Sequence, residues 1–327
     1  MNPLDKAEIG STGVMVSRLG VGGAPFGSMP IEDAQRSSIE SIGKGLDLGI
    51  SYFDTAPFYG AGRSERYYAQ GLDGVNRDSY VLSTKVGRVL NPVDAAPGQD
   101  IFRDLPQMEV AFDFSRDGVL RSFEESLKRL ELDRVDILLI HDPDDFHQQA
   151  VDEAFPALAE LRSQGVIGAI GAGMNFCEPL AQFGREADFD CFLLAGRYTL
   201  LDQSGLDDLL PLCEERGMSI ILGGPYNSGV LASDLGEGTT YFYQSTPPEV
   251  LEQARKIKAV CDRHDVPLKA AALQFGLAHH AVAATIPGAV SPDEVQENFD
   301  MVSYTISADL WNELRHEGLL PENAPTP

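Results

Sequence analysis

The sequence predicts an α/β fold in which eight strands alternate with helices and close into a (β/α)₈ TIM barrel. Two observations lead there. Short apolar or β-branched runs recur at eight places along the 327 residues, and the stretches between them mostly carry helical periodicity. The runs are apolar nearly throughout, the mark of strands covered on both faces and hence paired in parallel. Eight strand–helix units suit a closed barrel better than an open sheet. Length alone allows two domains, but no linker composition divides the chain, so residues 1–327 read as one barrel domain.

The strand candidates are, in order, 19–23 (LGVGG), 50–54 (ISYFD), 80–85 (YVLSTK), 135–141 (VDILLIH), 166–171 (VIGAIG), 191–195 (CFLLA), 218–222 (MSIIL) and 283–287 (AATIP). Helices fit 31–48, ahead of Gly49, and 249–264, ahead of Asp265 and Pro267. A third fits 116–132, where Val119, Leu120, Phe123, Leu127 and Leu130 share one face. On its outer face Glu124 precedes Lys128, and Glu125 precedes Arg129, by one turn, the favourable order for ion pairs. The segment 91–116 is too long and irregular for a plain connection. It follows the third strand, so it is expected over the C-terminal mouth, where such loops carry function. The Pro-rich tail from 318 is expected to be loosely ordered.

A formal net charge of −25 argues against nucleic acid, whose phosphates demand a basic face, and against anionic membranes. No apolar run reaches the length of a membrane span, and MNPLDKAEIG has no signal-peptide core, so a soluble cytoplasmic protein is expected. The cysteines, Cys177, Cys191, Cys213 and Cys261, lack CxxC spacing and read as reduced, buried thiols. The histidines lack metal-ligand spacing; His279 and His280 are adjacent and point apart, so no metal is expected.

Chemistry concentrates at strand ends. Asp54 closes the second run and Tyr59 follows on its loop (DTAPFYG); Lys85 ends the third run and His141 the fourth. Singly, each has a plain structural reading: a turn carboxylate, a loop aromatic, a solvated lysine, a turn-capping histidine. Together they recur where a barrel gathers its active site, at the C-terminal ends of its strands. The set suits proton transfer coupled to hydride transfer without a metal. A free phenol ionises near pH ~10, and an ammonium beside it favours the phenolate. Lys85 supplies that charge, Asp54 holds Lys85, and His141 orients a substrate oxygen.

The stretches DTAPFYG, STKVG (83–87), LLIHD (138–142) and ATIPGAVSPDEVQENF (284–299), in this order and spacing, resemble the aldo-keto reductase family over nearly the full chain. The resemblance implies a TIM barrel closed at the bottom by an N-terminal β-hairpin, which IGSTGVMVSRLG fits. It implies a catalytic tetrad of Asp54, Tyr59, Lys85 and His141. It also implies a nicotinamide cofactor extended across the mouth, with contacts expected from Gly23, Ala24, Asn175, Gly223, Pro225, Asn227, Gly229, Leu231, Gly288, Glu294 and Asn298. Where many members carry basic residues for the 2′-phosphate of NADP, this chain has Gly288 and Glu294. A carboxylate there repels phosphate and accepts from ribose hydroxyls, so NAD is expected over NADP. Glu294 also suits a helix start after Ser291-Pro292 on its own account. The family's Ser-Asn pair is Met174-Asn175 here, its strand-six Gln is Ala195, and its ring-stacking Tyr is Gly223. Stacking therefore falls to Tyr226 or is absent.

Substrate contacts are expected from Phe26, Phe58 and Asp142, with Phe112 or Phe114 adding apolar surface. Asp142 stands where several members carry an aromatic, and suits hydroxyl-rich ligands; it also suits a cap on the turn at Pro143. The run FDFSRDGVLRSFEESLKRLELDRVDILLIHDPDD, with GAGMN and LAGRYTLLDQ, resembles the branch of D-threo-aldose (L-fucose and galactose) and pyridoxal 4-dehydrogenases. This implies oxidation of an aldose hemiacetal at C1 to the lactone with NAD. Pyridoxal oxidation or a generic NADPH-dependent aldehyde or ketone reductase are the alternatives. A cofactor-sensing regulatory subunit on the same barrel is a further reading, against which the intact tetrad counts. The partner is then a small sugar-like or pyridoxal-like molecule, and the protein a monomer or small homo-oligomer.

Overall fold

The computed structural model describes residues 1–28, 34–94, 102, 105–236, 238–242 and 244–327. The chain opens with an antiparallel hairpin, β1 (Lys6–Glu8) and β2 (Met15–Ser17). The barrel strands follow as β3 (Val21–Gly22), β4 (Tyr52–Asp54) and β5 (Val81–Val86). A second antiparallel hairpin, β6 (Arg88–Pro92) and β7 (Met108–Phe112), interrupts them. They resume as β8 (Ile137–His141), β9 (Ala169–Met174), β10 (Cys191–Ala195) and β11 (Ser219–Gly223). After a two-residue pair, β12 (Thr240–Tyr241) and β13 (Gln244–Ser245), comes β14 (Val282–Ile286).

The eight barrel strands run parallel in the order β14-β11-β10-β9-β8-β5-β4-β3. Closure comes from two isolated parallel pairings, Leu19 with Thr285 and Gly22 with Gly288. Arg18 reinforces it by donating to the carbonyls of Val282 and Leu277. The fold is therefore the expected TIM barrel, with a hairpin at its base.

Strand alternation sorts the core into two layers. Tyr52, Ile137, Leu139, Leu193 and Ile221 form an inner cluster together with Ile9 and Val16, which plug the barrel floor beside the first hairpin. Their neighbours Phe53, Leu138, Ile140, Leu194 and Ile220 face outward and pack in the layer beneath the helices. Parity then places Asp54, Lys85 and His141 inward, in the topmost layer.

Elements fall near their predicted places, with informative shifts. The expected helix 31–48 is seen as Ala34–Asp47, its first residues lying outside the described ones, and 249–264 as Pro248–Arg263. The helix Arg116–Leu130 starts on a Ser115 cap accepting from Gly118 N–H at 3.1 Å and ends at Glu131 in the left-handed region. Glu125 and Arg129 stand at 3.9 Å, but Arg129 makes its shorter bond, 2.5 Å, to the fully buried Glu65. The strand expected at 166–171 sits at Ala169–Met174, because Gly165 (φ +72°) and Val166 finish the preceding helix, Val166 N–H bonding Leu161 O. A strand of small residues is required there: a Cβ on Gly171 would meet Cys191 O at 2.6 Å and Leu139 Cδ2 at 2.4 Å. The segment 91–116, expected to be irregular, gives 91–92 and 108–112 to the β6–β7 hairpin and Arg116 to a helix; residues 95–101, 103 and 104 lie outside the described set. The tail is not loose throughout, since Arg315 binds Ala324 O and Thr326 Oγ1. The four cysteines are free and buried. Among the described residues no helix is long and apolar enough to cross a membrane, and no cluster of potential metal ligands occurs.

Candidate active site

Lys85, 1% exposed, is held at the top of the barrel by three oxygens. Its Nζ donates to Asp54 Oδ1 (3.0 Å), Asp54 Oδ2 (2.8 Å) and Thr55 O (2.8 Å). Ser83 Oγ donates to Asp54 Oδ1 at 2.7 Å, and Tyr52 Oη stands 3.1 Å from Ser83 Oγ. Burial first, and then the Asp54 charge, push the Tyr52 phenol far above its usual range, so it stays protonated. Asp54 is thus a carboxylate held by a buried cation and a hydroxyl relay from β4 and β5.

Tyr59 reaches the same mouth because its loop can close tightly on the β3 side. Gly60 (φ +66°) and Gly27 touch backbone to backbone: a Cβ on Gly27 would lie 2.4 Å from Gly60 N, and one on Gly60 2.7 Å from Gly27 Cα. Lys85 Nζ lies 4.6 Å from the Tyr59 ring centroid, and the Tyr59 and His141 rings meet edge to face at 5.9 Å. His141 is buried; burial, then the Arg88 and Lys85 charges, hold its imidazole well below the usual pKa, so it is neutral at neutral pH. Its Nδ1 is buried with no hydrogen-bond partner among the described residues.

A cavity of about 460 Å³ opens above these groups, lined by Ala24, Pro25, Ser28, Phe58, Tyr59, Lys85, Arg88, Phe102, His141, Asp142, Gly173, Met174, Asn175, Leu193 and Ala195. A groove of about 520 Å³ shares Tyr59, Pro25, Ala24, Leu193 and Ala195 with it. The groove runs past Gly223, Gly224, Pro225, Tyr226, Ser228 and Gly229 to Lys269, Gly288, Glu294, Glu297 and Asn298.

Most expected site residues line one of these spaces, but several do not. Phe26 is fully buried against Tyr68: in the turn Ala24–Ser28 the i and i+3 residues Pro25 and Ser28 face the cavity, so Phe26 faces the core. Gly23 spends its backbone internally, its N–H on Asp54 O (2.8 Å) and its carbonyl on Ser64 Oγ (2.8 Å). Leu231 is a core side chain, and Asn227 is buried with its amide on Gly196 O at 3.1 Å. Phe114 is buried, whereas Phe112 stacks at the rim, half exposed. Tyr226 is anchored by its hydroxyl to Asn298 Oδ1 at 2.7 Å. Glu294 lines the groove and takes the helix-start role, its carboxylate accepting from Val290 N–H at 2.8 Å while Ser291 Oγ caps Glu294 N–H. Asp142 lines the cavity, with φ +45° after His141. Burial pushes its carboxyl up, and the Arg88 guanidinium, bonded at 2.5 Å, opposes that shift.

Sequence reasoning missed Arg88, Phe102 and Ser83. Ser83 was findable: it shares strand parity with Lys85. Arg88 was hidden by Gly87, whose φ of +93° swings the chain from β5 into the hairpin and breaks the parity.

The aldo/keto reductase family model matches residues 18–316, and the chain belongs to that family. It is 37% identical to pyridoxal 4-dehydrogenase of Microbacterium luteolum, the match covering 97% of this chain and 98% of the relative. It is equally 37% identical to D-threo-aldose 1-dehydrogenase of a Pseudomonas species, over 95% and 97%. An aldo-keto reductase from Bacillus halodurans, solved in its holo form, superposes with a TM-score of 0.77 at 27% identity, covering 97% of each chain. The protein is therefore an oxidoreductase of a family that uses NAD(P)(H).

The residues present suit such a cofactor. The groove starts at Tyr59 and Asp54, offers the bare backbone of Gly223, Gly224 and Gly229 midway, and ends in the polar groups of Glu294, Glu297, Lys269 and Asn298. That sequence of surfaces matches a reactive ring, a pyrophosphate and a ribose with its base.

Proposed function

We propose that the protein oxidises the hemiacetal of a hydroxyl-rich aldose of the L-fucose or D-threo-aldose type to its lactone, with NAD. The observation that carries this reading is the composition of the cavity wall. Tyr59, Lys85 and His141 are joined there by a second charged pair, Arg88 and Asp142, and by the polar Ser28 and Asn175, in a space whose larger apolar walls are Phe58, Phe102, Met174 and Leu193.

Tyr59 acts as the base, its oxygen taking the proton of the anomeric hydroxyl. Lys85 sits beside the ring and favours the phenolate; Asp54, oriented by Ser83, keeps Lys85 in place. His141, neutral, orients the substrate oxygen without adding charge. Phe58 and Phe102, edge to face at 4.9 Å, wall the pocket and exclude water. A nicotinamide, when bound, supplies the hydride acceptor. Ala24, Gly223, Pro225, Gly229, Gly288, Glu294 and Asn298 would hold it along the groove, with Asn175 in the adjoining cavity. NAD is favoured because the far end carries two carboxylates against one cation, and that cation, Lys269, is already paired with Glu297 at 2.7 Å.

Pyridoxal oxidation is the second reading, favoured by the equal identity to that relative. Initial rates with L-fucose, D-arabinose and pyridoxal, each with NAD and with NADP, separate the two. No aldose turnover overturns the first reading, and near-normal turnover by Tyr59→Phe overturns the assigned base.

A further inference from the structure

We propose that Arg88 and Asp142 form a specificity-determining pair that receives a hydroxyl on the carbon next to the reacting one. The inference rests on the oxidoreductase reading above and adds the group that selects the substrate.

The pair is built into the fold. Arg88 opens β6 directly after the Gly87 turn, and its cross-strand neighbour is Phe112. A Cβ on Gly87 would strike the buried Phe114 ring at 2.1 Å, so the turn is fixed. The guanidinium Cζ lies over the Phe58 ring at 4.1 Å and over Phe112 at 4.9 Å. Stacked on two rings, it offers donors along its edge. Nη2 binds Asp142 Oδ2 at 2.5 Å, and that is the guanidinium's one hydrogen bond among the described residues. Asp142 reaches it from β8 through a left-handed residue anchored by its N–H on Gly173 O at 3.0 Å.

The pair is also unsatisfied in a telling way. Both side chains are mostly buried, 14% and 16% exposed. Arg88 Nε is buried without a partner among the described residues, and only Oδ2 of the Asp142 carboxylate is bonded to Arg88. Asp142 Oδ2 stands 3.5 Å from His141 Nε2, so the pair adjoins the histidine that faces the reacting oxygen. A hydroxyl one carbon away would donate to Asp142 Oδ1 and accept from Arg88 Nη1, neither of which has a partner among the described residues. A site built in this way rejects a substrate lacking the hydroxyl, because its buried polar groups are then left unpaired.

The test uses two aldehydes that differ only in that hydroxyl, lactaldehyde and propanal, in the reducing direction with NADH. Wild type should favour lactaldehyde by at least about 30-fold in kcat/KM, and Arg88→Met should bring the ratio to near one. Arg88→Lys, which keeps the charge without the planar edge, and Asp142→Asn should fall between; melting curves report whether each variant is folded. An unchanged ratio in folded variants overturns the proposal. If wild type turns over neither aldehyde and no aldose, the proposed function falls. The pair is then judged by binding alone, from NMR titration of the protein with 1,2-propanediol and 1-propanol: equal affinities overturn it, and a diol preference that Arg88→Met abolishes supports it.

Discussion

Asp54→Asn breaks the most heavily buried ion pair among the described residues. The carboxylate and the ammonium it holds are 2% and 1% exposed, and both carboxylate oxygens accept from Lys85. The amide keeps the volume but removes the charge, leaving an uncompensated cation with only neutral acceptors, Thr55 O and one amide oxygen. Breaking a buried pair in this way costs about 3–5 kcal/mol. An unfolding entropy of about 2.1 cal/mol/K per residue gives roughly 0.7 kcal/mol/K for a chain of this size. Asp54→Asn should therefore melt about 4–7 °C below wild type. Calorimetry at pH 7.5 measures this directly. Asp54→Asn/Lys85→Met, which removes the stranded cation as well, should recover part of the loss. A single variant within about 1 °C of wild type, or a double variant no more stable than the single, would refute the argument that the charge is buried and paired.

Three further outcomes are expected. His141 is buried neutral, so its folded pKa lies below that of the unfolded chain. The unfolded state then binds the extra proton as pH falls below about 6.5, and stability is lost there by up to about 1.4 kcal/mol per pH unit. Denaturant titrations at pH 7.5 and 5.5 should show a smaller loss in His141→Gln than in wild type; equal losses would mean the imidazole is protonated when folded. Glu294→Arg changes the groove by two charges. At about 7 Å in water, each unit pair with a 2′-phosphate is worth about 0.6 kcal/mol before screening. Two charges against a phosphate of about −2 make about 2.4 kcal/mol, and salt screening leaves about 1 kcal/mol, roughly a fivefold shift in Kd ratio toward NADP; isothermal titration calorimetry measures it, and no shift would remove Glu294 from cofactor choice. Gly87→Ala should fail to place the hairpin, because its Cβ has nowhere to go beside Phe114; a soluble variant with wild-type melting and kinetics would contradict that geometry.

Period-two alternation made the inner layer legible from sequence. Once ILLIH is a strand with Ile137 and Leu139 inside, His141 follows them, and Lys85 follows Ser83 on β5. Alternation says nothing beyond a strand's last residue. Phe26 therefore looked like a wall of the pocket, when one turn of helix points it into the core. Arg88 stood two residues past β5, on the far side of a left-handed glycine, and only the hairpin register with Phe112 brings it back over Phe58. The segment 91–116 hid its strands because MEVAF and RVLNP pair with each other across a long connection, a relation that local pattern does not carry. Glu294 could be read either way from sequence because one residue both lines the groove and closes the helix start.

The barrel's closing seam has a mechanical consequence. Between β3 and β14 the ladder is reduced to two isolated pairings, as short as the two-residue ladder between β3 and β4, so this wall has few backbone bonds to resist being pried apart. The long groove runs along that line, with Gly22 and Ala24 on one bank and Ile286 and Gly288 on the other. A molecule resting there touches the start and the end of the chain together and acts as a clasp across the joint. Whatever fills the groove therefore adds to the bonds that keep the barrel shut.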